Sequence, residues 1–232
     1  MSTHHSTEFY NSTPANPLPI GLSPRVAKFL PAKLTCLPSV VQRLAAALGL
    51  VLISPILLLV GLALRWESKG AAIYSQVRVG KQGRRFTLYK FRSMYLNTDA
   101  KYIDPSQLQS DREGACKKLF KDPRITPLGR IIRKLSIDEL PQLWNVVKGD
   151  MVLIGPRPAL IDEVAVYSTL AMHRLQVNPG LTGLWQVSGR ADTTFDEQIA
   201  LDLRYIHEQS LSLDLKILLY TLPAVAFGKG AY

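Results

Sequence analysis

Two adjacent carboxylates, Asp138 and Glu139, follow a run of cations at Arg130, Arg133 and Lys134. They lie in the stretch Ser136-Ile137-Asp138-Glu139-Leu140-Pro141-Gln142-Leu143. Two uses fit that spacing. In the first, Ser136 is the N-cap and Glu139 the N3 residue of a capping box, closing free backbone N–H groups at a helix start. In the second, the same helix start does chemistry. Its partial positive charge holds Asp138 ionised and receives a phosphate, and the arginines strengthen both effects. An ionised carboxylate beside a bound diphosphate is a candidate nucleophile.

Other cations have to reach such a site. Ala72 to Val79 and Arg85 to Met94 read as two strands joined by Gly80-Lys81-Gln82-Gly83. Lys90 and Arg92 are two apart and so share a face, either as a solvated edge or as a cation pair aimed at phosphate. Met151 to Ile154 is a short apolar strand running into Gly155-Pro156-Arg157-Pro158. The prolines restrict the backbone around Arg157, which lowers the entropy lost when it grips an anion; a plain rigid turn fits the tetrapeptide equally. The glycine-rich stretch from Asn178 to Arg190 has neither Walker nor dinucleotide spacing. Within it Thr182, Ser188 and Arg190 are candidates to line a nucleotide pocket.

The positioning elements include one long apolar stretch. Leu44 to Leu64 carries no charge, has the length of a bilayer span and is bracketed by Arg43 and Arg65. A buried helix and a simple span are the alternatives. Ser54-Pro55 at its middle removes a backbone bond and bends the helix. Basic residues flank both ends, so charge asymmetry names neither as external. A bent, re-entrant helix with both ends on the cytoplasmic side answers both observations. Downstream, the Asp138 helix carries Leu140, Leu143, Trp144 and Val147, and Gly149 suits its C-cap. Phe195 to Gln209 reads as a mixed helix, and Leu211 to Phe227 as an interfacial or core helix.

Composition bounds the answer. The 232 residues are 47% hydrophobic, enough for one domain with additions, and the net charge of +10 suits an anionic partner. The basic patches lack a reading element or interleaved aromatics, so nucleic acid is not an expected partner. Cys36 and Cys116 are too few for a disulfide framework, and the four histidines form no ligand cluster. Residues 1–38, rich in Ser, Thr, Pro and Asn, read as a disordered tail without a signal peptide. Residues 39–70 then form the re-entrant membrane helix and 71–232 a cytoplasmic catalytic domain. The expected fold class is α/β in a helix-rich α+β form. It combines a Ser-Pro-broken membrane helix, a small hairpin or sheet and interfacial amphipathic helices.

Taken together, these pieces resemble the bacterial sugar transferases, also called monotopic phosphoglycosyl transferases. The resemblance runs from about Leu44 to Tyr232. It rests on Ser54-Pro55, Lys90-Phe91-Arg92-Ser93-Met94, Asp122-Pro123-Arg124, Ser136 to Trp144, Lys148-Gly149-Asp150, Gly155-Pro156-Arg157-Pro158, Pro179-Gly180-Leu181-Thr182-Gly183 and Leu213 to Leu218. It implies transfer of a sugar-1-phosphate from a UDP-sugar to undecaprenyl phosphate, with UMP released. Asp138 would be the nucleophile of a covalent intermediate and Glu139 its dyad partner, with Mg2+ bound at these two carboxylates. The resemblance places Lys90, Arg133 and Arg157 in the same site, implies a helix broken at Ser54 and Pro55, and puts the enzyme on the cytoplasmic face of the bacterial inner membrane among its phospholipids. Larger members carry an N-terminal multi-span domain, so a polar tail suggests the short form. The ending Gly228-Lys229-Gly230-Ala231-Tyr232 is similar to exopolysaccharide-initiating members. A homodimer is compatible with paired membrane-surface helices. The sugar and the oligomeric state stay open, and a non-catalytic membrane adaptor of a polysaccharide assembly is the alternative.

Overall fold

Helix α1 (Ser39–Glu67) is the longest element, at 29 residues and about 43 Å. The computed structural model describes residues 36–104, 107, 122–189 and 193–226. The expected N-terminal tail, most of the loop before Asp122, and Arg190 lie outside the described residues. Ala46, Leu50 and Ile53 of α1 enter one apolar cluster, and Leu57, Val60 and Leu64 enter another. Their spacing of four and three is the inner stripe of a helix laid along the rest of the protein. The opposite face leaves Leu44, Leu48, Val51, Leu52, Leu58, Leu59 and Leu62 uncovered.

The break expected at Ser54-Pro55 is absent: α1 is continuous through Pro55. Pro55 has no N–H for the carbonyl of Val51, but the Ser54 hydroxyl donates to that same oxygen at 2.8 Å. The orphaned acceptor is satisfied locally, so the helix does not have to end.

Both ends of α1 are tied to one body. Near its start, the Gln42 side chain accepts from the Leu153 N–H at 2.7 Å, and Arg43 donates to the carbonyls of Val147 and Lys148. At its end, Glu67 accepts from the Leu128 N–H. A carboxylate there also meets the start of helix α2 (Pro127–Lys134), whose free N–H groups favour an anion.

Strands β1 (Ile73–Val79) and β2 (Arg85–Phe91) pair antiparallel as expected. The free edge of β2 is closed by one side chain. Asn145 accepts from the Tyr89 N–H at 3.2 Å and donates to the Thr87 carbonyl at 2.7 Å, as a neighbouring strand would. Asn145 belongs to helix α3 (Leu143–Lys148), which ends at Gly149 with φ +86°, the expected left-handed cap. Beyond β2 the chain continues in contact with the loop before α2, with the Thr126 N–H donating to the Ser93 carbonyl.

Strands β3 (Val152–Ile154) and β4 (Gly180–Thr182) are parallel. A Cβ on Gly180 would fall 2.1 Å from the Gly155 nitrogen, so only glycine allows this crossing. Between them lie α4 (Ile161–Ala165) and a 3-10 turn at Ala171–Gln176. Helices α5 (Leu184–Ser188), α6 (Phe195–Glu208) and α7 (Leu211–Ala226) complete the fold. Asp214 of α7 is fully buried; it accepts from the Tyr205 hydroxyl and from the Leu37 N–H, fixing the approach to α1.

Candidate active site

Asp138 and Glu139 lie on a 3-10 segment, Ile137–Gln142, wedged between α2 and α3. The expected capping box does not form. Ser136 is left-handed at φ +53°, and its side chain caps nothing. Only its carbonyl joins the segment, accepting from the Glu139 N–H. A six-residue 3-10 stretch that follows α2 directly is no anion-attracting helix start, so the expected source of Asp138 ionisation is missing. Asp138 is buried, and that burial, with Glu139 beside it, pushes its carboxyl up to about 7; Lys90 and Arg133 act against the rise.

Lys90 comes from β2, and its ammonium lies 3.7 Å from Glu139 Oε1. Burial lowers its pKa, while Glu139 and Asp138 raise it. The charge of Arg133 reaches Asp138 from α2, and that of Arg157 reaches Lys90 from the turn after β3. Arg157 is a third exposed and lies 3.6 Å from Glu163 Oε1. Lys90 and Arg133 thus act on the dyad directly, whereas Arg157 acts on Lys90.

Arg92 is not part of this group. Strand β2 ends at Phe91, although the Arg92 N–H still donates to the Ala72 carbonyl. The Arg92 guanidinium instead donates to the carbonyls of Leu64, Ser68 and Lys69, closing the C-terminal end of α1. Thr182 is also diverted: its hydroxyl lies 2.8 Å from that of Thr221 and joins β4 to α7.

Two polar groups escaped the sequence reading. Arg78 on β1 is 5% exposed and donates to the Pro158 carbonyl and to Gln76. Its signal was the Gln76-x-Arg78 alternation, which shares a face with Lys90 in the observed register. The second is the fully buried Asp202 of α6. It pairs with Arg174 at 2.6 Å, and Arg174 also donates to Tyr167 and, at 3.5 Å, to the Arg157 carbonyl. Twenty-eight residues separate the pair, so no local pattern could announce it.

An apolar groove of about 670 Å³ opens beside the dyad, lined by Leu57, Leu62, Tyr89, Phe91, Pro141 and Trp144 among others. Arg65 stands in its wall. Among the described residues, no three His, Cys, Asp or Glu side chains converge as a metal cage. Two adjacent carboxylates do fit Mg2+, which keeps waters and takes its other ligands from phosphates.

The chain is similar to several known proteins. Exopolysaccharide production protein ExoY of Rhizobium meliloti is 41% identical over 194 residues, covering 82% of this chain and 85% of ExoY. Galactosyl transferase CpsE of Streptococcus agalactiae is 52% identical over 164 residues, and undecaprenyl-phosphate galactose phosphotransferase of Salmonella typhimurium is 45% identical over 168. The match spans 70% of this chain in both cases, but only 36% and 35% of those proteins. The family described as bacterial sugar transferase matches residues 35–228, and the chain belongs to that family.

Proposed function

We propose that this protein is a phosphoglycosyl transferase that moves a sugar-1-phosphate from a UDP-sugar to undecaprenyl phosphate, giving undecaprenyl-diphosphate-sugar and UMP. The reaction would be the first membrane step of exopolysaccharide or related glycoconjugate synthesis. Relatives named undecaprenyl-phosphate galactose and glucose phosphotransferase support the substrate class. The observation that carries the reading is Asp138 itself, a buried carboxyl flanked by Glu139 and faced by cations from two separate elements, Lys90 of β2 and Arg133 of α2.

In the first half-reaction an Asp138 oxygen attacks the sugar-bearing phosphorus. A bond forms from carboxylate to phosphorus, the bond to the bridging oxygen breaks, and UMP leaves with that electron pair. An oxygen of the lipid phosphate then attacks the same phosphorus and releases the Asp138 carboxylate. Lys90, Arg133 and Arg157 offset the repulsion between the carboxylate and the diphosphate. Asp138 and Glu139 would hold Mg2+, which supplies further charge neutralisation. Glu139 also keeps the Lys90 ammonium beside the reacting group.

The uncovered face of α1 lies in the lipid, and the groove beside the dyad suits the apolar part of the acceptor. We read the placement as re-entrant, on the cytoplasmic face of the inner membrane; the tethering of both ends of α1 to the same body supports the re-entrant part of that reading. A spanning helix would put those two anchor points on opposite sides of the bilayer. The exposed Leu211, Leu215, Leu219 and Leu222 give α7 an interfacial face.

Wild-type protein incubated with labelled UDP-sugar retains sugar-phosphate label on Asp138, and Asp138→Asn retains none while staying folded. Substantial turnover by that variant refutes the nucleophile. Labelling of residues near Ser39 in sealed vesicles from the outer side alone refutes the re-entrant placement.

A further inference from the structure

Arg78 is the charged group least accounted for by the site as described. The sheet register sets Arg78 opposite Phe86, Gln76 opposite Leu88 and Tyr74 opposite Lys90. Opposed residues share a face, so Arg78, Gln76 and Lys90 form one row on the side of the hairpin that meets the dyad segment. A guanidinium that is 95% buried has to be paired or it destabilises the fold. Arg78 is only partly paired. One terminal nitrogen donates to the Pro158 carbonyl at 3.2 Å and the other to Gln76 Oε1 at 2.8 Å, but both partners are neutral. Its Nε–H is buried and has no partner.

The neighbours of this cation explain the arrangement. Burial and the charge of Arg157 bring its pKa down to about 10, while Glu163 and Glu139 act in the opposite direction. Arg78 and Arg157 also each depress Lys90. Three cations from three elements therefore repel one another, facing three carboxylates, Glu139, Asp138 and Glu163, that only partly offset them. Such a cluster is relieved by an added anion, and its members cannot reorganise away from it, because Pro158 and Gln76 hold Arg78 in place.

We propose that Arg78 is a positioning residue of the anion site: its grip on the Pro158 carbonyl fixes the turn that presents Arg157, and its buried charge favours the diphosphate of a nucleoside-diphosphate donor. The assignment rests on the reading that the dyad works on such a donor. It separates Arg78 from Arg92, whose guanidinium is spent on the end of α1.

The test is equilibrium binding of UDP and of uridine to the detergent-purified full chain, with Mg2+ present. Wild type, Arg78→Lys, Arg78→Gln and Gln76→Leu are compared, and thermal unfolding of each is recorded in parallel. Wild type should bind UDP well above uridine. Arg78→Gln should weaken UDP by about tenfold to a hundredfold, the range for losing a charged hydrogen-bond donor. Arg78→Lys should recover part of that loss because the charge remains, and uridine binding should not change. If Arg78→Gln does not fold, Gln76→Leu, which only frees one nitrogen of Arg78, still has to weaken UDP measurably without changing uridine binding. Folded variants that bind UDP as wild type does overturn the role of Arg78. So does an equal loss for UDP and uridine, which a merely structural residue would produce. A wild type that binds UDP no better than uridine overturns instead the donor reading, and the role of Arg78 with it.

Discussion

Replacing Arg92 tests how α1 is held to the enzyme. The side chain is 4% exposed and donates to Lys69 O at 2.6 Å, Ser68 O at 2.9 Å and Leu64 O at 3.1 Å. These carbonyls lie in the last turn of α1 and just beyond it, where intrahelical partners run out. Arg92→Met keeps an apolar stem and removes every donor. One hydrogen bond from a charged donor contributes about 1.5–3 kcal/mol. The three bonds share one side chain, so their loss is not additive, and about 3–5 kcal/mol is expected. At roughly 2–4 °C per kcal/mol for a protein of this size, the midpoint should fall by roughly 6–20 °C. Arg92→Lys should recover part of this. The assay is thermal unfolding in detergent, followed by tryptophan fluorescence, with donor KM measured on the fraction still folded. An unchanged midpoint together with a raised donor KM would refute the reasoning and return Arg92 to phosphate binding.

Further outcomes follow from other buried groups. Asn145→Ala exposes the unpaired edge of β2 and should cost about 2–4 kcal/mol, with faster hydrogen exchange at the Tyr89 amide; unchanged protection there contradicts the edge-closing role. Asp202→Ala strands the Arg174 charge and should destabilise by about 3–5 kcal/mol, whereas Asp202→Leu combined with Arg174→Met should recover much of that. A double variant no more stable than Asp202→Ala rules out the stranded charge as the cause. For Asp138, the folded pKa of about 7 lies above the ordinary aspartate value. Between those values the unfolded chain releases the proton and the folded protein keeps it, so stability falls as pH rises from about 4 to about 7 and is flat above. The full swing is at most about 4 kcal/mol. Asp138→Asn should flatten this slope in denaturant midpoints at pH 5 and pH 8 without substrate, and an equal slope in both proteins would contradict the shift.

Much of the candidate site was legible because its signals are local. Asp138 and Glu139 are neighbours in the chain, and Lys90 sits on a strand whose alternation and turn residues are clear. Gly149 appears where a helix must end, and Arg157 stands between two prolines. Arg92 departs from the expectation because alternation names a face and not a partner: its guanidinium meets the carbonyls of Leu64, Ser68 and Lys69, which are distant in the chain. Ser136 was misread because a capping-box spacing says nothing of backbone conformation, and here the residue is left-handed. Pro55 was read as a break because the sequence does not display the Ser54 hydroxyl bond that compensates for it.

By itself the sequence determined the elements and the candidate reacting groups: an uncharged 21-residue stretch, a hairpin with its turn, and two adjacent carboxylates near fixed cations. These depend on spacing and residue type, which the chain carries directly. Only the tertiary structure decided which cations face the dyad, that Arg92 closes α1, that Asn145 seals β2, and that burial beside Glu139 raises the Asp138 pKa. Those outcomes depend on groups far apart in the chain meeting where water is excluded. There, desolvation and hydrogen-bond partners set the state of each charge, and no local pattern records them.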